Sequence, residues 1–304
     1  RDYSKDSALA TATKCAGDAY NTYNNSCMTT ASAVQNRDDR LANAQFTYDA
    51  GLALATYYKT TVQSGYTRQL CDAQVNVAYA NCLLDLDCSQ HPANCCVDNC
   101  GKQDNNATLA AQTAWINSVG PADAQRNYDL IMCDTTQSRD DQVSYANGQY
   151  TIDQANAKYN FDQTAAWNIY QYAISMADAQ HTKDSTLCAC NSTNQTQYDD
   201  CVATANTARA GAYSNALAAY QQKANVPPST PVGENWTAWN QTVTSANNTL
   251  QAAYAAHQLT AQTCRQNTQT TFDAVLAAAN EAWNTAAAAA DQAYQNCLNG
   301  CNQG

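Results

Sequence analysis

The strongest constraint on the fold is the stretch of residues 234–299, which contains neither proline nor glycine. A mostly apolar stripe follows alternating steps of three and four residues from Trp236 to Cys264, and it resumes at Phe272. This spacing places the apolar groups on one stripe of an α-helix, as in a helical bundle. A helix of about 66 residues is roughly 100 Å long. That is about twice the diameter of a compact globule of 304 residues, so the sequence predicts a rod-like molecule.

Two further stripes of this kind predict long helices earlier in the chain. One supports a helix over about residues 2–61, and the other runs from Tyr145 to Met176. Shorter helical segments are predicted over residues 67–86, 106–118 and 196–225. Because only 10 glycines and 5 prolines interrupt the chain, helix is expected nearly throughout. The predicted fold class is all-α: an elongated bundle of long antiparallel coiled-coil-like helices with disulfide-rich loops.

Helix breaks are predicted where turn-forming residues cluster. The Gly120-Pro121 pair indicates the end of one helix and the start of the next. Two cysteine-rich segments, 87–104 and 184–195, contain residues that are typical of loops. The clearest linker is the proline-rich segment 226–233, which precedes the C-terminal long helix at 234–299.

An imperfect internal duplication is also predicted. The segments RDDRLANAQFTYD at 37–49 and RDDQVSYANGQYTID at 139–153 resemble each other, and each follows a Cys-x-Thr-Thr motif. We therefore predict a single elongated helical domain over 1–304, in which residues 1–104 and 105–226 form repeat units.

The cysteine content indicates an oxidising compartment and a chain held together by disulfides. The disulfide candidates are Cys15, Cys27, Cys71, Cys82, Cys88, Cys95, Cys96, Cys100, Cys133, Cys188, Cys190, Cys201, Cys264, Cys297 and Cys301. Adjacent Cys95 and Cys96 are expected to bridge to different helices, and Cys188 and Cys190 are expected to do the same.

Two other roles for cysteine follow from their number and spacing. Because 15 is odd, at least one cysteine is free or pairs with another chain, and Cys15 and Cys301 are the predicted interchain candidates. The four cysteines of segment 88–100, together with His91, form the one cluster that suggests a metal. Their spacing does not match the closely paired ligands of structural zinc, so disulfides are favoured and no metal ligand is predicted.

Composition and motifs exclude several function classes. A net charge of −11 and a pI near 4.4 leave no basic face for nucleic acid. The sequence has no run of about 18 apolar residues, so no membrane insertion is predicted. None of the common nucleophile, zinc-protease or nucleotide-binding motifs occurs, so we expect no enzymatic activity, no catalytic residue and no cofactor.

Two sets of polar residues receive ordinary structural interpretations. Of the three histidines, His257 occupies an apolar seam and is predicted to be packed there. The doublets Asp38-Asp39 and Asp140-Asp141 each follow an arginine, and they lack the oxygen-rich loop that calcium needs. They are predicted to form local ion pairs on a solvated helix face.

A secreted protein with this sequence offers sites for glycans. The glycosylation candidates are Asn191, Asn194, Asn235, Asn24, Asn106, Asn240 and Asn247. The localisation predicted is secreted and extracellular. We expect that a signal peptide has been removed ahead of Arg1, or that the chain begins there at its mature end.

The functional prediction follows from the surface composition. Only 13% of the residues are charged, and the outward positions are mostly amides, hydroxyls and alanine. Such a surface repels copies of itself weakly. The sequence therefore predicts a structural protein that self-assembles into a filament, sheath or surface layer, with copies of itself and glycans as partners.

Two alternatives remain open. In the first, the chain is a secreted helical binding module for a receptor, glycan or small ligand, with a pocket around Trp236, Trp239 and Trp283. Ice or surface binding is a third interpretation, but the threonines lack the regular spacing that it requires.

Overall fold

The computed structural model describes residues 3–224 and 233–301, and within these ranges nearly every residue is helical. The elements are α1 (Tyr3–Gln90), a short 3₁₀ helix (Pro92–Asn94), α2 (Cys95–Asn191), α3 (Gln195–Lys223) and α4 (Glu234–Cys301). Strands are absent from the described ranges, so the predicted all-α class is confirmed. In the same ranges, no helix has a segment long and apolar enough to cross a membrane.

The helices are longer than the sequence predicts. The segments predicted over 2–61 and 67–86 belong to the single helix α1, which has 88 residues. The C-terminal helix matches its prediction closely, because α4 begins at Glu234 and ends at Cys301. High alanine content and few breakers explain this continuity, because each added residue extends an existing helix at little cost.

The break predicted at Gly120-Pro121 is wrong, because α2 runs through it without interruption. A proline inside a helix costs about 3 kcal/mol, so packing around it has to compensate. Val119 is only 1% exposed. Gly120 lies so close to α1 that a side chain there would contact Tyr66 at 3.0 Å. After the proline, Ala124 is fully buried and Asp123 accepts a hydrogen bond from Tyr66 of α1. Packing on both sides of Pro121 thus stabilises the continuous helix.

The two predicted cysteine-rich loops are also largely helical. Of segment 87–104, only His91–Asn94 interrupts the α-helices, and of segment 184–195 only residues 192–194 do so. Among the described residues, the ten cysteines that form disulfides all lie within helices. The prediction of disulfide-rich loops is therefore wrong, because the cysteines pin helix to helix.

The chain forms two compact units. Unit 1 comprises Arg1–Ala42 and Gln142–Tyr254, and unit 2 comprises Asn43–Asp141 and Ala255–Gly304. Helices α1, α2 and α4 each contribute a segment to both units. The predicted duplication stays a prediction. The linker at 226–233 lies outside the described residues except for Gly233.

In unit 2, α1 packs antiparallel to α2. Lys59 Nζ donates a hydrogen bond to Gln125 Oε1 at 2.7 Å, and Tyr66 Oη donates to Asp123 Oδ2 at 3.2 Å. The contacts thus pair higher-numbered residues of α1 with lower-numbered residues of α2, as antiparallel packing requires. The two helices approach each other closely at Gly51, where even a Cβ atom would overlap the side chain of Thr135.

Helix α4 packs against α2 in the same unit, again antiparallel. Trp115 Nε1 donates to Asn280 Oδ1 at 2.8 Å, and the Arg126 guanidinium lies 4.1 Å from the centre of the Phe272 ring. Phe272 and Val119 belong to the buried apolar cluster of this unit. Unit 2 therefore consists of three helical segments packed around one small core.

In unit 1, α2 and α3 form an antiparallel pair. The rings of Trp167, Tyr170 and Tyr220 cluster between them, with centroids 5.3 to 5.5 Å apart. Tyr213 of α3 donates a hydrogen bond to Asp178 of α2, which raises the pKa of the Tyr213 phenol.

Helix α4 also packs against α2 in unit 1. Trp239 Nε1 donates to Asn156 Oδ1 at 2.7 Å, and its ring packs 5.8 Å from that of Tyr159. Farther along, Gly148 of α2 faces Leu250 of α4. Small residues on α2 thus let the two helices lie close together.

Candidate functional site

Five disulfides join cysteines within the described ranges, and they are the most specific chemistry there. They join Cys88 to Cys95, Cys96 to Cys301, Cys100 to Cys297, Cys133 to Cys264, and Cys188 to Cys201. Four of them lie in unit 2, and the Cys188–Cys201 bond lies in unit 1. Unit 2 is therefore the more heavily cross-linked part of the described chain.

Two neighbouring disulfides join the start of α2 to the end of α4. Cys96 and Cys100 are separated by one helical turn, as are Cys297 and Cys301, so each pair faces the other helix. The sulfurs of Cys100 and Cys301 lie 3.7 Å apart. All four sulfurs are committed to disulfides, so the cluster holds no thiolate that could bind a metal.

The adjacent Cys95 and Cys96 bridge to different helices. Cys95 bonds to Cys88 of α1, and Cys96 bonds to Cys301 of α4. One turn of α2 is thereby tied to both of its neighbours. His91 is hydrogen-bonded instead to Asp87 of α1, with 2.8 Å between His91 Nδ1 and Asp87 Oδ1.

Two expectations about particular cysteines are wrong. Cys190 is exposed and unpaired, although Cys188 bonds to Cys201. Cys301 is not free for an interchain bond, because it forms a disulfide with Cys96 of α2. The other interchain candidate, Cys15, has a side chain outside the described residues.

Four described cysteines are exposed and unpaired: Cys27, Cys71, Cys82 and Cys190. Three of these lie on α1 and one lies near the end of α2. The sequence contained no signal that separates them from the bonded cysteines, since pairing depends on which helices meet. They are the thiols that remain available for chemistry outside the chain.

The two Arg-Asp doublets occupy equivalent local settings. Arg37 bonds to the aspartate that follows it and stacks 4.7 Å from the ring centre of Tyr150. Arg139 likewise bonds to the following aspartate and stacks 4.6 Å from the ring centre of Tyr48. The predicted ion pairs are therefore present, and the tyrosine stacking on the facing helix is an addition that the sequence did not reveal.

Each histidine has a hydrogen-bond partner. The pairs are His91 with Asp87, His181 with Asn206, and His257 with Asp141. Hydrogen bonds from Asn94 and His91 lower the pKa of the Asp87 carboxyl. His257 lies 24% exposed between α4 and α2, which fits the prediction of a packed seam histidine.

A groove of ≈ 600 Å³ lies between α2 and α4 of unit 1. Its polar lining comes from Ser144, Asn147, Thr151, Gln241, Thr242, Ser245 and Thr249. The floor is made of small or apolar residues, including Gly148 and Ala246. None of the lining residues is ionisable, so the groove suits a neutral ligand that hydrogen-bonds.

A smaller groove of ≈ 280 Å³ lies beside the Cys133–Cys264 disulfide in unit 2. Asp129, Asp140 and His257 line it. The tryptophans expected around a pocket line neither groove. Trp236 and Trp239 pack against each other in unit 1, and Trp283 belongs to unit 2.

The glycosylation candidates are placed on the surface with one exception. Six are exposed: Asn24, Asn106, Asn191, Asn194, Asn240 and Asn247. Asn235 is partly buried in the first turn of α4. Asn191 and Asn194 flank the turn between α2 and α3, and Asn194 caps α3 by accepting a hydrogen bond from the Gln197 amide at 3.0 Å. Glycosylation itself stays a prediction.

Helix α1 exposes large apolar side chains that the sequence did not mark as exposed. Phe46 is 74% exposed, Leu54 50% and Tyr57 64%. The buried positions of the same helix segment are alanines, such as Ala44 and Ala55. The helix buries its small residues against α2 and presents large ones to solvent, which is the reverse of the usual distribution.

No protein-family model, curated protein or solved structure matches this chain.

Proposed function

We propose that this protein is a secreted, extracellular structural protein whose elongated helical molecules self-assemble into a filament, sheath or surface layer. It acts without a cofactor or a reaction of its own. The observation that carries the proposal is the exposure of Phe46, Leu54 and Tyr57, which form an apolar row on one side of α1. Contiguous apolar surface of this kind usually marks an interaction site.

The disulfides support an extracellular location. Stable disulfides are rare where thiols are kept reduced, and the described part of this chain contains five of them. The Cys96–Cys301 and Cys100–Cys297 bonds fasten the helix ends, which would otherwise fray. A subunit that carries mechanical load benefits from such cross-links.

The surface chemistry supports self-association. With 13% charged residues, the chain opposes contact with its own copies only weakly. Phe46 and Tyr57 expose 74% and 64% of their surface, and burying aromatic side chains of this size against a second copy is favourable. Glycans at the exposed sequons would coat the faces that stay outside the contact.

Electron microscopy of the native, unreduced protein tests the proposal. We expect ordered filaments or sheets. The variant Phe46→Glu places a charge in the apolar row and should abolish them. Gln63→Glu adds the same charge to an exposed position on another side of α1, so it should assemble normally. Isolated monomers at physiological salt would contradict the proposal.

The groove in unit 1 favours a second function, that of a binding module. Its hydroxyl and amide lining matches a neutral saccharide or similar ligand better than an ionic one. Trp239 lies two residues from Gln241 of the lining and should report binding by fluorescence. A saturable change on titration with neutral oligosaccharides, lost in Gln241→Ala, would support this function. An unchanged signal would argue against it.

A further inference from the structure

A second apolar row lies near the end of α1 and contains two free thiols. Val75, Tyr79 and Leu86 are 61%, 67% and 52% exposed. Cys71 and Cys82 are exposed and unpaired. With 3.6 residues per turn, these five positions lie within about 80° of the helix circumference. We call them the α1 thiol row.

The two thiols cannot bond to each other. They are 11 residues apart on a continuous helix, which separates them by about 16 Å along its axis. A disulfide needs α-carbons within about 7 Å of each other. Both cysteines are exposed, so either thiol is accessible to another molecule.

We propose that the α1 thiol row joins two copies of this chain through a pair of symmetric disulfides. Cys71 of each copy bonds to Cys82 of the other. A two-fold axis between residues 76 and 77 makes both bonds equivalent, as an isologous contact requires. The inference rests on the proposed function, for which it names one contact between subunits.

The charges of this segment favour the antiparallel arrangement. Arg68 is the only basic residue in the overlapping segment 63–90. The two-fold axis places it beside Asp85 of the second copy. The Arg68 side chain is 85% exposed and lies 3.9 Å from Asp72 of its own helix, so it can turn toward the second copy. Asp85 pairs with Lys102 of its own chain but keeps 66% of its side chain exposed, which leaves it accessible to a second cation. A parallel, in-register pairing would instead place Arg68 against Arg68 and Asp72 against Asp72. Like charges facing each other oppose that alternative.

The size of the contact explains why thiols are needed. An overlap of 28 residues along a helix about 10 Å wide covers roughly 400 Å² per copy. A stable non-covalent interface usually buries about 800 Å² per partner. The contact of the α1 thiol row is therefore too small to hold two copies together without a covalent link, and the two disulfides supply that link.

The bonds form by thiol–disulfide exchange with a small-molecule disulfide. The thiolate of Cys71 attacks that disulfide, forms a mixed disulfide and releases one small thiol. The thiolate of Cys82 from the second copy then displaces the other small thiol. Each protein bond thus consumes one small disulfide and yields two small thiols, and the protons of the two cysteines leave with them.

Peptide mapping of the full-length protein, oxidised in a glutathione redox buffer, tests the proposal. Cleavage before aspartate separates the two cysteines into peptides 49–71 and 72–84. We expect a covalent dimer in which peptide 49–71 is joined to peptide 72–84. C71S and C82S should each lose the covalent dimer. A mixture of the two variants should regain it, because one complementary thiol pair remains.

The control is C190S, which removes another exposed thiol and should dimerise as the natural protein does. Peptide 49–71 joined to itself, or full dimerisation of C71S alone, would overturn the proposal. Wild-type-like filaments from the C71S/C82S variant would overturn this contact and leave the proposed function standing. Cross-linked dimers that form no larger assembly would instead support this contact and contradict the proposed function.

Discussion

The Cys133–Cys264 disulfide should contribute more to stability than its neighbours. It joins residues 131 apart in sequence, for which the loop-closure model gives about 5 kcal/mol. The Cys100–Cys297 bond already closes the end of the same pair of helices. With that bond in place, Cys133–Cys264 closes a ring of about 66 residues, and its contribution falls to about 4.4 kcal/mol.

The perturbation is the double variant C133A/C264A, which leaves no new free thiol. For a unit of about 150 residues, a loss of this size lowers the unfolding midpoint by roughly 10 to 15 °C. The matched control is C88A/C95A, because that bond spans only 7 residues and its contribution is about 2.4 kcal/mol by the same model. The two variants should differ by about 2 kcal/mol.

Urea unfolding followed by circular dichroism gives the two free energies. Hydrogen exchange read by mass spectrometry shows where protection is lost, and both losses should be confined to unit 2. Equal effects of the two variants, or a larger effect of C88A/C95A, would refute the reasoning from ring size.

Two further predictions concern single residues of α1. Gly51→Ala should lower the free energy of unfolding by about 1 to 3 kcal/mol, because a Cβ atom there overlaps the Thr135 side chain. Gly65→Ala, with nothing nearby, should raise it by about 0.5 to 1 kcal/mol in the same urea titration. Burial, and then the charge and hydrogen bond of Asp123, raise the pKa of Tyr66 above 10.0. The neutral Tyr66 phenol makes its full contribution to the free energy of unfolding below pH 10.0. This contribution is lost as the pH rises through the raised pKa of the folded protein. Melting midpoints above pH 10 should therefore fall less steeply in Tyr66→Phe, and identical profiles would contradict this assignment.

The functional surfaces were harder to predict than the helices. The sequence indicated low charge and many tyrosines, but it could not say which row of α1 faces α2. That row is set by close approach, since Gly51 and Ala55 admit the neighbouring helix and leave Phe46 and Tyr57 outside. The exposed apolar surface follows from packing, which a stripe pattern alone does not specify.

The sequence by itself determined the all-α class and the bounds of α4, because helix formation depends on local backbone preference and on the absence of breakers. Only the tertiary structure decided that α2 continues through Pro121 and that Cys96 bonds to Cys301 rather than to a closer cysteine. These outcomes depend on the register between helices distant in sequence. That register is set by buried side chains and close helix contacts, which no local pattern records.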